Sequence, residues 1–116
     1  MGQFYVTARL TGPTGSSEQV RLPADTGATF LVLPRPVADR LGAATQRTEP
    51  VMTAGGREDV WPVGEVRVAI EGREVTTPCF IPASGPALLG AVPLESLLLV
   101  IDPVARRLVP TRGLVL

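Results

Sequence analysis

No histidine occurs in the 116 residues, and cysteine occurs once, at position 79. The first absence removes Ser–His and Cys–His nucleophilic catalysis and every histidine-based metal site. The second rules out an internal disulfide. Net charge is missing as well: 11 Lys and Arg balance 11 Asp and Glu, without the basic excess that nucleic-acid binding requires. The longest apolar stretches, PALLGAVPL and LLLVI, are separated by Glu95 and Ser96. Neither is long enough to span a bilayer. The opening MGQFYVTARL lacks the basic start, apolar run and small-residue cleavage site of a secretory signal. The expectation is a cytoplasmic protein with no nucleic-acid or membrane partner. If it is an enzyme, its chemistry falls to carboxylates.

What is present is apolar content, at 45% of residues, and frequent turn formers, with 12 glycines and 12 prolines. The first supports a modest core, and residues 1–116 read as one domain. The second cuts the chain into short pieces, as expected of β structure. QFYVTARL (3–10) reads as a strand, TGPTGSSE (11–18) as a hairpin tip and QVRLPA (19–24) as the returning strand. FLVLP (30–34) reads as a strand buried on both faces, and RPVADRLG (35–42) as one or two helical turns between Pro36 and Gly42. TQRTEPVMTA and REDVWPVGEVRVAIE flank Gly55-Gly56, the signal of a long hairpin. GREVTTPCFIP (72–82) and ALLG (87–90) read as strands, and VPLESLL (92–98) as about two helical turns. LLVID (98–102) and RRLVP (106–110) make a closing hairpin around Pro103. The class is all-β with one or two short helices.

One acidic residue stands out. In LPADTGATFLVLP (22–34), Asp25 lies between two apolar runs with no basic neighbour. An unpaired charge there is costly unless a partner arrives or its protonation changes. Asp25-Thr26-Gly27 alone is plausible turn chemistry, since Asp accepts backbone N–H groups and Gly takes positive φ. A given tripeptide also arises by chance in roughly one chain in fifty of this length. The aspartyl-phosphate motif Asp-Lys-Thr-Gly-Thr does not fit, because Thr26 follows Asp25 directly.

Context narrows the choice. A strand leads into the tripeptide, Ala28 and Thr29 follow it, and the apolar run FLVLP comes next. This resembles the active-site loop of the retropepsin-like aspartic proteases. MTAGGREDVWP resembles the family's flap, the glycine-tipped hairpin that closes over substrate. ALLGAVPLESLLLVIDPVARRLVP resembles its second signature, with Leu88, Leu89 and Gly90 ahead of a short helix. In order and spacing the likeness covers nearly the whole chain. It implies a closed, barrel-like acid-protease lobe carrying a flap.

The resemblance also assigns roles. Asp25 would be the catalytic carboxylate, supported by Thr26, Gly27 and Ala28, with Thr26 interlocking with a partner's loop and Gly27 offering its carbonyl to substrate. The flap tip, Thr53, Ala54, Gly55, Gly56 and Arg57, would close over a peptide bound as an extended strand. Leu89 and Gly90 would support the loop. Peptide hydrolysis by carboxylates alone needs two carboxyls that share a proton, one activating water and one protonating the carbonyl oxygen. Asp39, Asp59 and Asp102 each lie outside a second Asp-Thr/Ser-Gly. The partner of Asp25 would therefore be Asp25 of a second copy, as in the family's homodimers. No metal or other cofactor is implied.

Other readings stay open beside this one. Gly55-Gly56 is also a plain hairpin turn, and Leu88-Leu89-Gly90 also reads as core. Trp61 reads as core in preference to a pocket wall, Cys79 as buried and inert, and Pro62 as a break in the ladder or an edge marker. The termini, MGQFYVTARL and RGLVL, either interleave between subunits or pack within their own. Arg57, Glu58 and Asp59 make the flap more polar than in viral relatives, and the stand-alone chain looks more like a small prokaryotic member. A catalytically silent module that binds peptides or dimerises is the alternative function, and a β-barrel unrelated to proteases is the third.

Overall fold

Alternation opens the fold. In β1 (Tyr5–Thr11) Val6, Ala8 and Leu10 are buried while Tyr5, Thr7 and Arg9 face out, the period of two that puts one face of a strand on a core. The structure, a computed structural model, describes residues 4–115. β1 returns as β2 (Ser17–Pro23) in unbroken antiparallel register, from Tyr5↔Pro23 to Thr11↔Ser17. The turn is therefore tighter than the sequence suggests, spanning 12–16 instead of 11–18.

The remaining elements are β3 (Leu31–Val32), α1 (Arg35–Leu41), β4 (Arg47–Met52), β5 (Glu58–Ile70), β6 (Arg73–Phe80), α2 (Ala91–Ser96), β7 (Leu99–Asp102) and β8 (Arg107–Pro110). The main sheet runs β2-β1-β5-β6-β3, with β4 joined to β5 off that path. β7 and β8 form a separate pair. β5 holds the sheet together by changing partner along its length. Residues 58–63 pair with β4, residues 63–70 with β6, and residues 67–69 also with β1. Pro62 sits next to this change-over. The ladder continues through it opposite Thr48, and its carbonyl accepts the Ile81 N–H at 2.8 Å.

Two segments expected as strands are reduced by their surroundings. FLVLP contributes only Leu31 and Val32, paired in parallel with Cys79 and Phe80. Pro34 has no N–H to extend the ladder, and Arg35 donates to the Pro82 carbonyl as α1 begins. ALLG forms no continuous strand either. Leu88 bridges to Val32 and Leu89 to Ala24, one residue to each side. Those bridges join the end of β2 to β3, the two ends of the sheet path, and so provide a barrel-like closure beside the site. α1 ends where Gly42 adopts φ +74°, the left-handed stop expected of a helix-terminating glycine.

The core gathers one face of every strand except β4. Leu10, Leu22, Leu31, Leu33, Ile81 and Leu89 are almost wholly buried in it. Cys79 lies in the same cluster, with its thiol pushed up to about 11 chiefly by burial. A thiol with a raised folded value adds stability that is intact below its ordinary value of 9.0 and is lost as pH climbs toward about 11. We therefore expect Cys79 to resist an aromatic disulfide reagent at pH 8 until denaturant unfolds the chain, and chemical stability to decline between pH 9 and 11. Rapid labelling of the native protein would contradict this burial.

Candidate active site

Asp25 leaves the end of β2 through a loop whose shape is set by backbone bonds. Its own N–H donates to the Leu89 carbonyl at 2.9 Å, and its carbonyl accepts the Ala28 N–H at 3.0 Å. The side chain folds back locally, with Oδ1 accepting the Gly27 N–H at 2.9 Å. This is the short Asp-to-backbone turn anticipated for the tripeptide. Asp25, Thr26 and Gly27 are all exposed in the single chain.

The chain from Leu88 to Val92 grips this loop from behind. Leu88 and Val32 exchange both backbone bonds, at 2.8 and 3.0 Å, and Leu89 donates to the Pro23 carbonyl at 2.9 Å. Ala91 and Val92 donate to the carbonyls of Ala28 and Thr29, each at 2.9 Å. Gly90 lies at the closest approach. A Cβ there would run into the carbonyl oxygens of Ala28 and Phe30. Leu89 and Gly90, expected as support for the loop, are buried directly behind it.

In front of Asp25 opens a cleft of about 700 Å³. Asp25, Gly27 and Ala28 form one side and Thr53 and Ala54 the other, so the structure brings these two groups of expected site residues together. Gly55, Gly56 and Arg57 stand exposed at the hairpin tip without lining the cleft, and Thr26 does not line it. The tip is a tight turn. Gly56, at φ +79°, donates to the Thr53 carbonyl, while the Arg57 carbonyl accepts from the Thr53 N–H at 2.9 Å and its hydroxyl at 3.2 Å.

The sequence reading did not single out Phe80 or the 82–86 segment, although Phe80, Pro82, Ser84 and Pro86 all line the cleft. Alternation next to the buried Cys79 was the available signal for Phe80. Trp61 corrects the core reading: it is half-buried and lines the cleft, because β4 and the tip extend beyond the main sheet and leave its ring one open side.

Electrostatically the site is sparse. Asp25 is the one carboxylate lining the cleft among the described residues. Asp39 lies on α1 beside Arg35 at 3.7 Å, Asp59 holds backbone and indole N–H groups on β5, and Asp102 caps the β7–β8 turn through Val104 and Ala105. Among the described residues no group of three or more His, Cys, Asp and Glu side chains converges on a metal position.

The site is thus one carboxylate on a loop held by backbone bonds, facing a cleft beneath a hairpin. The chain belongs to the aspartyl protease family, whose sequence model matches residues 6–92. Its fold is retropepsin-like. A solved structure of EIAV protease complexed with the inhibitor HBY-793 matches with a TM-score of 0.65 and 19% identity, covering 83% of this chain and 88% of that one. A search of curated proteins finds no match.

The clamp predicts a contrast between two glycines. Gly90→Ala should cost about 1–3 kcal/mol or more, because backbone atoms must move to admit the methyl group. Gly55→Ala meets nothing within 4 Å and should change stability by less than about 0.5 kcal/mol. Urea unfolding of both variants measures the difference, and equal costs would mean the loop is not held this closely.

Proposed function

We propose that this chain is a homodimeric aspartic endopeptidase, with Asp25 of each of two copies forming the reacting pair. The supporting observation is the isolation of Asp25: it is exposed, held on a clamped loop, and accompanied in its cleft by no second carboxylate among the described residues. One carboxylate cannot both take a proton from water and give one to the substrate carbonyl. Two placed about 3 Å apart share a single proton, a behaviour general to aspartic proteases.

In the proposed reaction the ionised carboxylate removes a proton from water, and the hydroxide oxygen bonds to the scissile carbonyl carbon. The protonated carboxyl gives its proton to the carbonyl oxygen. Collapse of the resulting diol breaks the C–N bond as the proton taken from water passes to the departing nitrogen and the other carboxylate takes a proton from a diol hydroxyl, re-forming the C=O bond. One water is consumed, and the carboxyl pair returns to its singly protonated state. The pair titrates jointly.

The substrate is a peptide lying extended across the cleft, bonded through its main chain and sorted by side-chain pockets. The β4–β5 hairpin acts as the flap, with Thr53 and Ala54 facing the peptide. Residues 5–10 of the N-terminal stretch pair within their own sheet as part of β1, and the C-terminal segment supplies the interface between copies. Two observations support that use: residues 111–115 carry no regular structure, and Leu114 and Val115 are 85% and 98% exposed in the single chain. Residues 1–3 and 116, also expected there, lie outside the described residues.

Mixing tests the shared site. Asp25→Asn alone should lower peptide cleavage by about 10²–10⁴-fold, the range for a lost acid–base group. An equal mixture of wild type and Asp25→Asn, exchanged to random dimers, should retain about a quarter of the activity, because both carboxylates must be present in one dimer. Half the activity would indicate a complete site in each chain. Peptide that binds but stays uncut by the wild type would make the protein a binding module.

A further inference from the structure

The chain has five aromatic residues, and three of them meet at one end of the cleft. The Phe30 and Phe80 rings stack at a tilt with centroids 4.7 Å apart, and Trp61 stands edge-on to Phe80 at 6.0 Å. Trp61 and Phe80 line the same cleft as Asp25. Phe30 supports Phe80 from the active-site loop itself, only five positions beyond Asp25. Trp61 is also fixed in orientation. Its indole N–H donates to Asp59 Oδ2 at 3.1 Å, while Asp59 Oδ1 accepts the Val60 N–H at 2.8 Å. Asp59 lies two residues earlier on the same face of β5, and the indole is half-buried with one side open.

These features together do more than fill space. A side chain needed only for packing would turn into the core, as those of Leu33 and Ile81 do. Here a large side chain stops at the cleft, with its polar edge satisfied by a neighbour on its own strand. The remaining aromatic surface is open to a ligand. Aromatic rings prefer offset or edge-to-face partners, and such pairs add affinity beyond that of simple apolar burial. Val32 and Leu88 line the same cleft without any polar side chain beyond Thr, Ser and Asp25. An aromatic side chain would leave no buried polar group unpaired there.

We propose that Trp61 and Phe80 form a specificity subsite for an aromatic side chain of the peptide, Trp61 being the specificity-determining residue and Asp59 its positioning residue. This deepens the protease reading and rests on it for the identity of the ligand as a peptide. The binding test below does not depend on hydrolysis.

Trp61 is the only tryptophan in the chain, so intrinsic fluorescence reports on this subsite alone. In Asp25→Asn protein, a peptide carrying Phe should shift or quench the emission and bind roughly 2- to 10-fold more tightly than the same peptide with Leu there. Equal affinity and equal emission changes for the Phe and Leu peptides would overturn the subsite. Cleavage of a mixed peptide library supplies the second arm. Wild type should enrich aromatic residues at a fixed distance from the cut, Trp61→Ala should lose that enrichment mainly through KM, and Trp61→Phe should keep most of it. Asp59→Ala should weaken the preference, and Asp59→Asn, which keeps one acceptor oxygen where Asp59 uses two, should weaken it less. Cuts by Trp61→Ala with the wild-type preference would also overturn the proposal. A wild type that cuts nothing, yet whose Trp61 emission discriminates Phe from Leu peptides, would defeat the protease reading and leave the subsite standing.

Discussion

Everything about the site depends on a backbone clamp in which residues 88–92 hold residues 23–32 through six hydrogen bonds, all between main-chain atoms. Main-chain bonds fix where the loop runs without spending any side chain on the task. Asp25 and Thr26 thereby stand exposed, with Asp25 Oδ1 turned back to the Gly27 N–H. The same contacts link the ends of the sheet path, so loop geometry and fold closure are one structural feature. Gly90 is its narrowest point, where the carbonyls of Ala28 and Phe30 take the space a side chain would need. A loop held so closely keeps a carboxylate in place before anything is bound, which is the preorganisation that acid–base chemistry requires.

A second constraint is the length of β5. By pairing with β4 at one end and with β6 and β1 at the other, it carries the hairpin out over the cleft while remaining anchored in the sheet. Trp61 and Val63 sit near the change-over, and their burial differs accordingly. Val63 is fully buried where β5 rejoins the sheet, whereas Trp61, two residues out, keeps one open side. The sequence stretch REDVWPVGEV gives this boundary no mark except Pro62, and Pro62 leaves the ladder continuous. This explains why Trp61 reads as core until its surroundings are visible.

Much of the architecture was legible because it is local. Alternation in β1, the Gly55-Gly56 turn, the helix stop at Gly42 and the burial of Cys79 each follow from the chemistry of a few adjacent residues. Asp25-Thr26-Gly27 was legible through its context. Features that depend on distant pairing were not. FLVLP has the composition of a five-residue strand, yet its pairing is cut to two residues where Pro34 cannot extend the ladder and the Arg35 N–H turns to the Pro82 carbonyl. ALLG has the composition of a strand, yet its residues serve two neighbours in turn, and no local pattern encodes that division. The aromatic wall is of the same kind, because Phe30, Trp61 and Phe80 come from three separate segments.

The polar hairpin tip illustrates how composition can mislead about function. Arg57, Glu58 and Asp59 read as a departure that weakens the comparison with a substrate-closing hairpin. In the fold two of the three have definite local work. The Arg57 carbonyl closes the turn on Thr53, a task of its backbone that any side chain would permit. Asp59 ties down the Val60 amide and the Trp61 indole, so its two acceptor oxygens fix an apolar ring at the cleft. Polarity at this position therefore serves the apolar side of the site.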